Sequence, residues 1–60
     1  MTVAELKRRR LALGLTQAQV AARSGLNVNS ISAWERGRVV PKARSVRRWA
    51  SVLFSDQSNR

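Results

Sequence analysis

Three breaks cut the chain at short intervals: Gly14-Leu15-Thr16, Gly25-Leu26-Asn27, and the stretch from Gly37 to Lys42 that holds Pro41. Glycine admits the left-handed backbone that closes a helix, Thr and Asn cap the helix that follows, and proline cannot continue one. Each break is therefore a stop followed by a start, and the segments between them can only be short helices. The spacing predicts helices over about Thr2 to Leu13, Gln17 to Ser24, Val28 to Arg36 and Ala43 to Phe54. Two of the starts carry the Ser/Thr-x-x-Glu/Gln pattern of a capping box, Thr2 with Glu5 and Thr16 with Gln19, and Asn27 caps the third.

Helices of this length are marginal alone in water, so they must share one core. Sixty residues form a single domain, and a chain so short buries only about 60% of its unfolded surface. The chain has no cysteine, so no disulfide supplements the packing, and no metal-ligand cluster or cofactor motif is evident. The expected fold is all-α: a compact bundle of four, or five, short helices over residues 1–54, followed by a polar tail at 55–60 that frays. The expected core is Val3, Leu6, Leu13, Leu15, Val20, Ala21, Leu26, Ile31, Trp34, Val46, Trp49, Ala50 and Leu53, most of it at helical spacing. Leu11 and Leu13 cannot both face the same strip of that core, and one of them must pack under the last turn or the tail.

On the third helix, a rotation of about 100° per residue sets Ser30, Ile31 and Trp34 on one side and gathers Val28, Asn29, Ser32, Ala33 and Arg36 on the other. The second stripe is small and polar. On the fourth helix, Val46, Trp49, Ala50 and Leu53 follow the i, i+3, i+4, i+7 pattern of a core-facing stripe, and Arg44, Arg47 and Arg48 lie opposite.

Twelve Lys and Arg against three Asp and Glu give a net charge of +9, which points to a polyanionic partner. Catalysis lacks parts, since there is no histidine, cysteine or tyrosine and the acids are scattered. No run approaches the roughly 18 apolar residues of a membrane span, and no leader resembles a signal peptide. The expectation is a soluble, unexported chain with no small-molecule ligand.

The segment from Leu13 to Arg38, LGLTQAQVAARSGLNVNSISAWERGR, resembles the Cro/repressor-type (XRE-like) helix-turn-helix family. The Gly-Leu-Thr-Gln lead-in, the spacing of Ala21 and Gly25 across the turn, Ile31, and the Trp-Glu-Arg-Gly exit fall where that family has them. Leu6 to Leu13 is similar to the first helix of small phage Cro proteins, which extends the resemblance to nearly the whole chain up to Leu53. The resemblance implies a lambda-repressor-like fold. It also implies a transcriptional regulator, by default a repressor, that works in the cytoplasm of a bacterial or phage-infected cell and binds a double-stranded DNA operator.

Residue chemistry agrees with that role. A short helix with a small polar stripe can enter the major groove, about 12 Å wide. The base-reading residues are then Asn27, Val28, Asn29, Ser32 and Ala33. Asn29 is the sharpest of them, because an amide can bond an adenine edge, while Val28 and Ala33 can touch a thymine methyl. Gln17 heads the second helix, where its amide and the helix N–H groups can hold a phosphate. Ser30, Arg36, Arg38, Lys42 and Arg10 complete the phosphate contacts. For Arg10 the resemblance implies a second role, a structural ion pair with Glu35 between the first and third helices.

The family commonly binds two half-sites as a homodimer, which is the implied assembly here. Three departures bear on it: Phe54 stands where many members have glycine, Ser32 and Ala33 specify little, and no fifth helix follows in the sequence. The chain is either a piece of a longer repressor or a minimal Cro-like protein that dimerises on DNA, and an exposed Phe54 would help join two copies. An antitoxin-like or other protein-interaction role on the same fold is the alternative reading.

Overall fold

A computed structural model describes residues 1–54, and the expected tail at 55–60 lies outside the described residues. It contains four helices, α1 (Val3–Ala12), α2 (Gln17–Ser24), α3 (Val28–Glu35) and α4 (Ala43–Leu53). Both capping boxes form. The Thr2 hydroxyl accepts the Glu5 N–H while the Glu5 carboxylate accepts the Thr2 N–H at 2.7 Å, and Thr16 and Gln19 do the same at 3.0 and 2.8 Å. Asn27 caps α3 through its side-chain oxygen, which accepts the Asn29 N–H at 2.8 Å. Every helix ends within one residue of its expected limit, because the signals that set those limits act across three or four residues of chain.

The α2–α3 turn depends on Gly25, which sits at φ 74° and lets the Leu26 N–H reach back to the Ala21 carbonyl at 3.2 Å. A side chain at that φ would be strained, so the tight turn requires glycine. α2 and α3 are thereby held against each other. α4 lies along α1 and α2 and meets α3 through side chains, Trp49 against Trp34.

The core is Leu6, Val20, Ala21, Ile31, Trp34, Trp49 and Leu53, with Val3, Leu15, Leu26, Val46, Ala50, Val52 and Phe54 packed around it. Trp34 and Trp49 meet at its centre, their rings 5.5 Å apart and tilted by 34°, a spacing favourable to aromatic pairs. Both indoles are core residues.

Two expectations are corrected. Leu13 is 41% exposed and Leu11 is 58% exposed, so neither joins the core. Leu13 points the same way as Leu6 two turns earlier, but it follows the end of α1, beyond the reach of the bundle, and Leu15 packs there in its place. Phe54, expected to be exposed, is half-buried against the core with the Arg9 guanidinium 5.0 Å from its ring centre. The Arg9 Nε also donates to the Leu53 carbonyl at 3.0 Å, fastening the end of α4 to α1.

Candidate nucleic-acid interface

The site is organised by a carboxylate. Glu35, in the last turn of α3, accepts two hydrogen bonds from Arg10 of α1, Nε to Oε2 and Nη2 to Oε1, each 2.8 Å. The fork-on-carboxylate geometry is the strongest an Arg–Glu pair can adopt. Arg10 Nη1 donates to the Leu15 carbonyl at 2.8 Å, and Gln17 Nε2, at the head of α2, donates to Glu35 Oε1 at 3.0 Å. One carboxylate thus ties together α1, the start of α2 and the end of α3.

The pair is nearly dry, with the Arg10 and Glu35 side chains 9% and 2% exposed. Burial alone would raise the Glu35 carboxyl. The hydrogen bonds from Arg10 and Gln17, with the charges of Arg10 and Lys7, outweigh burial and hold it below its ordinary value. The hydrogen bonds that Arg10 donates to Glu35 in turn raise the Arg10 guanidinium above its ordinary value. Arg10, expected also to reach a phosphate, is buried with its guanidinium spent on Glu35 and Leu15, so it shapes the surface and does not present a donor to it.

Clamped at its C-terminal end, α3 leaves Val28 and Asn29 exposed, with Ser32 and Ala33 half-exposed beside them and Arg36 exposed at the end. Asn27 is exposed as well, but its side-chain oxygen is committed to the cap, which leaves only its NH2 group facing out. Ser30 lies half-buried. Together Asn27, Asn29, Ser30, Ala33, Trp34 and Val39 line a shallow notch of about 260 Å³ on this face.

After α3 the chain reverses at Gly37, φ 78°, where the Arg38 N–H returns to the Ala33 carbonyl at 2.9 Å. That reversal carries Arg38, Val39 and Val40 past the end of the stripe, and Arg38 and Lys42 are exposed. Sequence reasoning missed Val39 and Val40, 53% and 89% exposed, because loop residues carry no helical period. The available signal was the pair of β-branched residues before Pro41, which favours extended backbone.

A family model described as helix-turn-helix matches residues 6–56, which takes in α2, α3, α4 and all but the first turn of α1. The chain belongs to the Cro/repressor-type (XRE) helix-turn-helix family. That family is one of DNA-binding regulators, not typically enzymatic. Neither a curated protein nor a solved structure matches the chain at a significant level. In this helix-turn-helix domain α2 and α3 are the two helices of the motif, Gly25 is its turn, and the exposed stripe of α3 with the notch beside it is the candidate reading surface. Among the described residues of the domain, no helix is long and apolar enough to cross a membrane.

Proposed function

We propose that this helix-turn-helix protein binds a specific double-stranded DNA operator and represses transcription by occupying it, with α3 in the major groove. The observation that carries the reading is the outward stripe of α3, small and polar, on a helix whose far end is fixed by the Arg10–Glu35–Gln17 network. An α-helix with its side chains is about 10–12 Å across and the groove about 12 Å wide, so small residues on the outer face let the helix enter deeply.

In this reading Asn29 bonds an adenine edge, Val28 and Ala33 meet thymine methyls, the free NH2 of Asn27 reaches an acceptor at the start of the helix, and Ser32 adds a weak contact. Gln17, Ser30, Arg36, Arg38 and Lys42 take the flanking phosphates. The Gln17 amide has a second N–H beyond the one given to Glu35, and this proton is the one directed to the backbone. Two copies on half-sites about 34–36 Å apart would read an inverted repeat. The protein acts where the DNA is, in the cytoplasm of a bacterial or phage-infected cell, and needs no cofactor.

Selection of bound duplexes from a random library at about physiological salt tests this, because specific binding exceeds non-specific by roughly 10³–10⁷. An enriched motif, arranged as an inverted repeat, is the expected result. Steeply salt-dependent binding with nothing enriched would overturn the operator reading.

A further inference from the structure

We infer that the notch beside α3 receives the 5-methyl group of an operator thymine, with Val39 as one wall and the Asn27 amide as donor to O4 of the same base. The inference rests on the operator reading and deepens it, because it makes Val39, which lies outside the recognition helix, a specificity-determining residue.

The loop holds Val39 in a set place. As the chain leaves α3, the Gly37 N–H donates to the Trp34 carbonyl at 3.1 Å and the Arg38 N–H to the Ala33 carbonyl at 2.9 Å. This closure brings Val39 back to the turn that carries Ala33 and Trp34, and these three are the apolar residues of the notch. Val39 is 53% exposed and stands between Arg38 and Lys42, both exposed cations of the same loop. An apolar side chain flanked by cations that face phosphates must lie against whatever apolar group the duplex presents there.

Size and chemistry choose that group. At about 260 Å³ the notch falls below the roughly 300–1,000 Å³ that encloses a free small molecule, so it takes the edge of a larger partner. In the major groove the apolar group on a base edge is the thymine C5-methyl. The polar rim then separates thymine from 5-methylcytosine, which carries the same methyl. Asn27 lines the notch, and its side-chain oxygen is committed to the Asn29 N–H at 2.8 Å, which leaves an NH2 donor. Thymine sets the acceptor O4 beside its methyl, whereas 5-methylcytosine sets an N4–H2 donor there, and donor would meet donor.

The test uses the selected operator and the full chain. Each thymine is replaced singly by deoxyuridine, which removes the methyl and keeps O4, and affinities are titrated for the unmodified chain, Val39→Ala and Val40→Ala. Val40 is 89% exposed and is not a lining residue of the notch, so it controls for loss of a loop valine. At one thymine, deoxyuridine should weaken binding about fourfold, the worth of about one buried CH2. Val39→Ala should shrink that penalty to less than about twofold, since the two changes remove the same contact, and Val40→Ala should leave it whole. A 5-methylcytosine–guanine pair at that position should bind no better than deoxyuridine does. Melting followed by circular dichroism shows that both variants fold.

Any of three results overturns the inference: no thymine whose deoxyuridine penalty depends on Val39; equal dependence on Val40, which marks a general effect of the loop; or 5-methylcytosine bound as tightly as thymine, which means that O4 is not read. Failure to select any operator would strike the earlier reading and this one together, whereas a selected operator with no thymine coupled to Val39 strikes this one alone.

Discussion

Glu35 receives three hydrogen bonds from two helices other than its own, so its removal should be felt well beyond its volume. Breaking one side of a buried pair costs about 3–5 kcal/mol, because the partner charge is left dry and uncompensated. Glu35→Gln should therefore lower the melting temperature by more than about 10 °C in a domain of this size, while Arg10→Met/Glu35→Leu should lose much less. Thermal unfolding followed by circular dichroism distinguishes them, and equal losses would show that the charges are not what holds the helices. Asn29 and Arg38 should fail in different ways. Asn29→Ala should cost about 1–3 kcal/mol and relax preference at one base pair, whereas Arg38→Gln should weaken every duplex alike and reduce the salt slope by about 0.9. Titrations against the operator and its single-base variants at two salt concentrations separate a reader from an anchor. Of this site, the periodicity made Asn29 legible, because exposure on a helix is a matter of angle. The burial of Arg10 was not legible from periodicity, since a charged residue in a basic helix reads as solvated until its partner is known. The family resemblance alone pointed to the pair.

At the scale of elements, the starts and stops were legible because caps and turn glycines act locally. Thr2, Thr16, Asn27 and Gly25 do in the structure what their spacing predicts. What the spacing missed depends on distant chain. Leu13 is exposed because the bundle ends before it, and Gln17 turns toward Glu35 because α3 stops opposite it. Lys42 is the exception among the caps. It occupies the N-cap of α4, makes no side-chain cap hydrogen bond, and puts a cation at the positive end of the helix. Lys42→Ser should accordingly raise stability by about 0.5–2 kcal/mol while weakening DNA binding, through the lost phosphate contact. Denaturation and a binding titration on the same sample check both signs. Lower stability would mean that the lysine contributes something other than charge.

For the molecule as a whole, the core is built around two indoles, and the Trp49 Nε1–H is buried there without a hydrogen-bond partner. Such a group costs about 1–3 kcal/mol, which the fold accepts for the volume the ring fills. In so small a domain the remaining margin makes pH visible. The carboxyls of Glu35 and Glu5 both lie below their ordinary 4.5 in the folded state. The stability they supply is fully present above that value and is lost as pH falls through the folded-state values. The melting temperature should stay level from about pH 7 to pH 5 and drop below about 4.5, with a shallower drop in Glu35→Gln. A transition that is level down to pH 3 would mean that neither carboxylate contributes.

Trp34 belongs to both the interior and the surface. Its ring packs on Trp49, yet the residue keeps 8% of its surface open and lines the notch with Asn29, Ser30, Ala33 and Val39. Trp49 is sealed, and the chain has no tyrosine. When a duplex closes over α3, water at that exposed edge is replaced by sugar and base, so ultraviolet emission from the unlabelled protein should change with occupancy, reported by Trp34 against the constant background of Trp49.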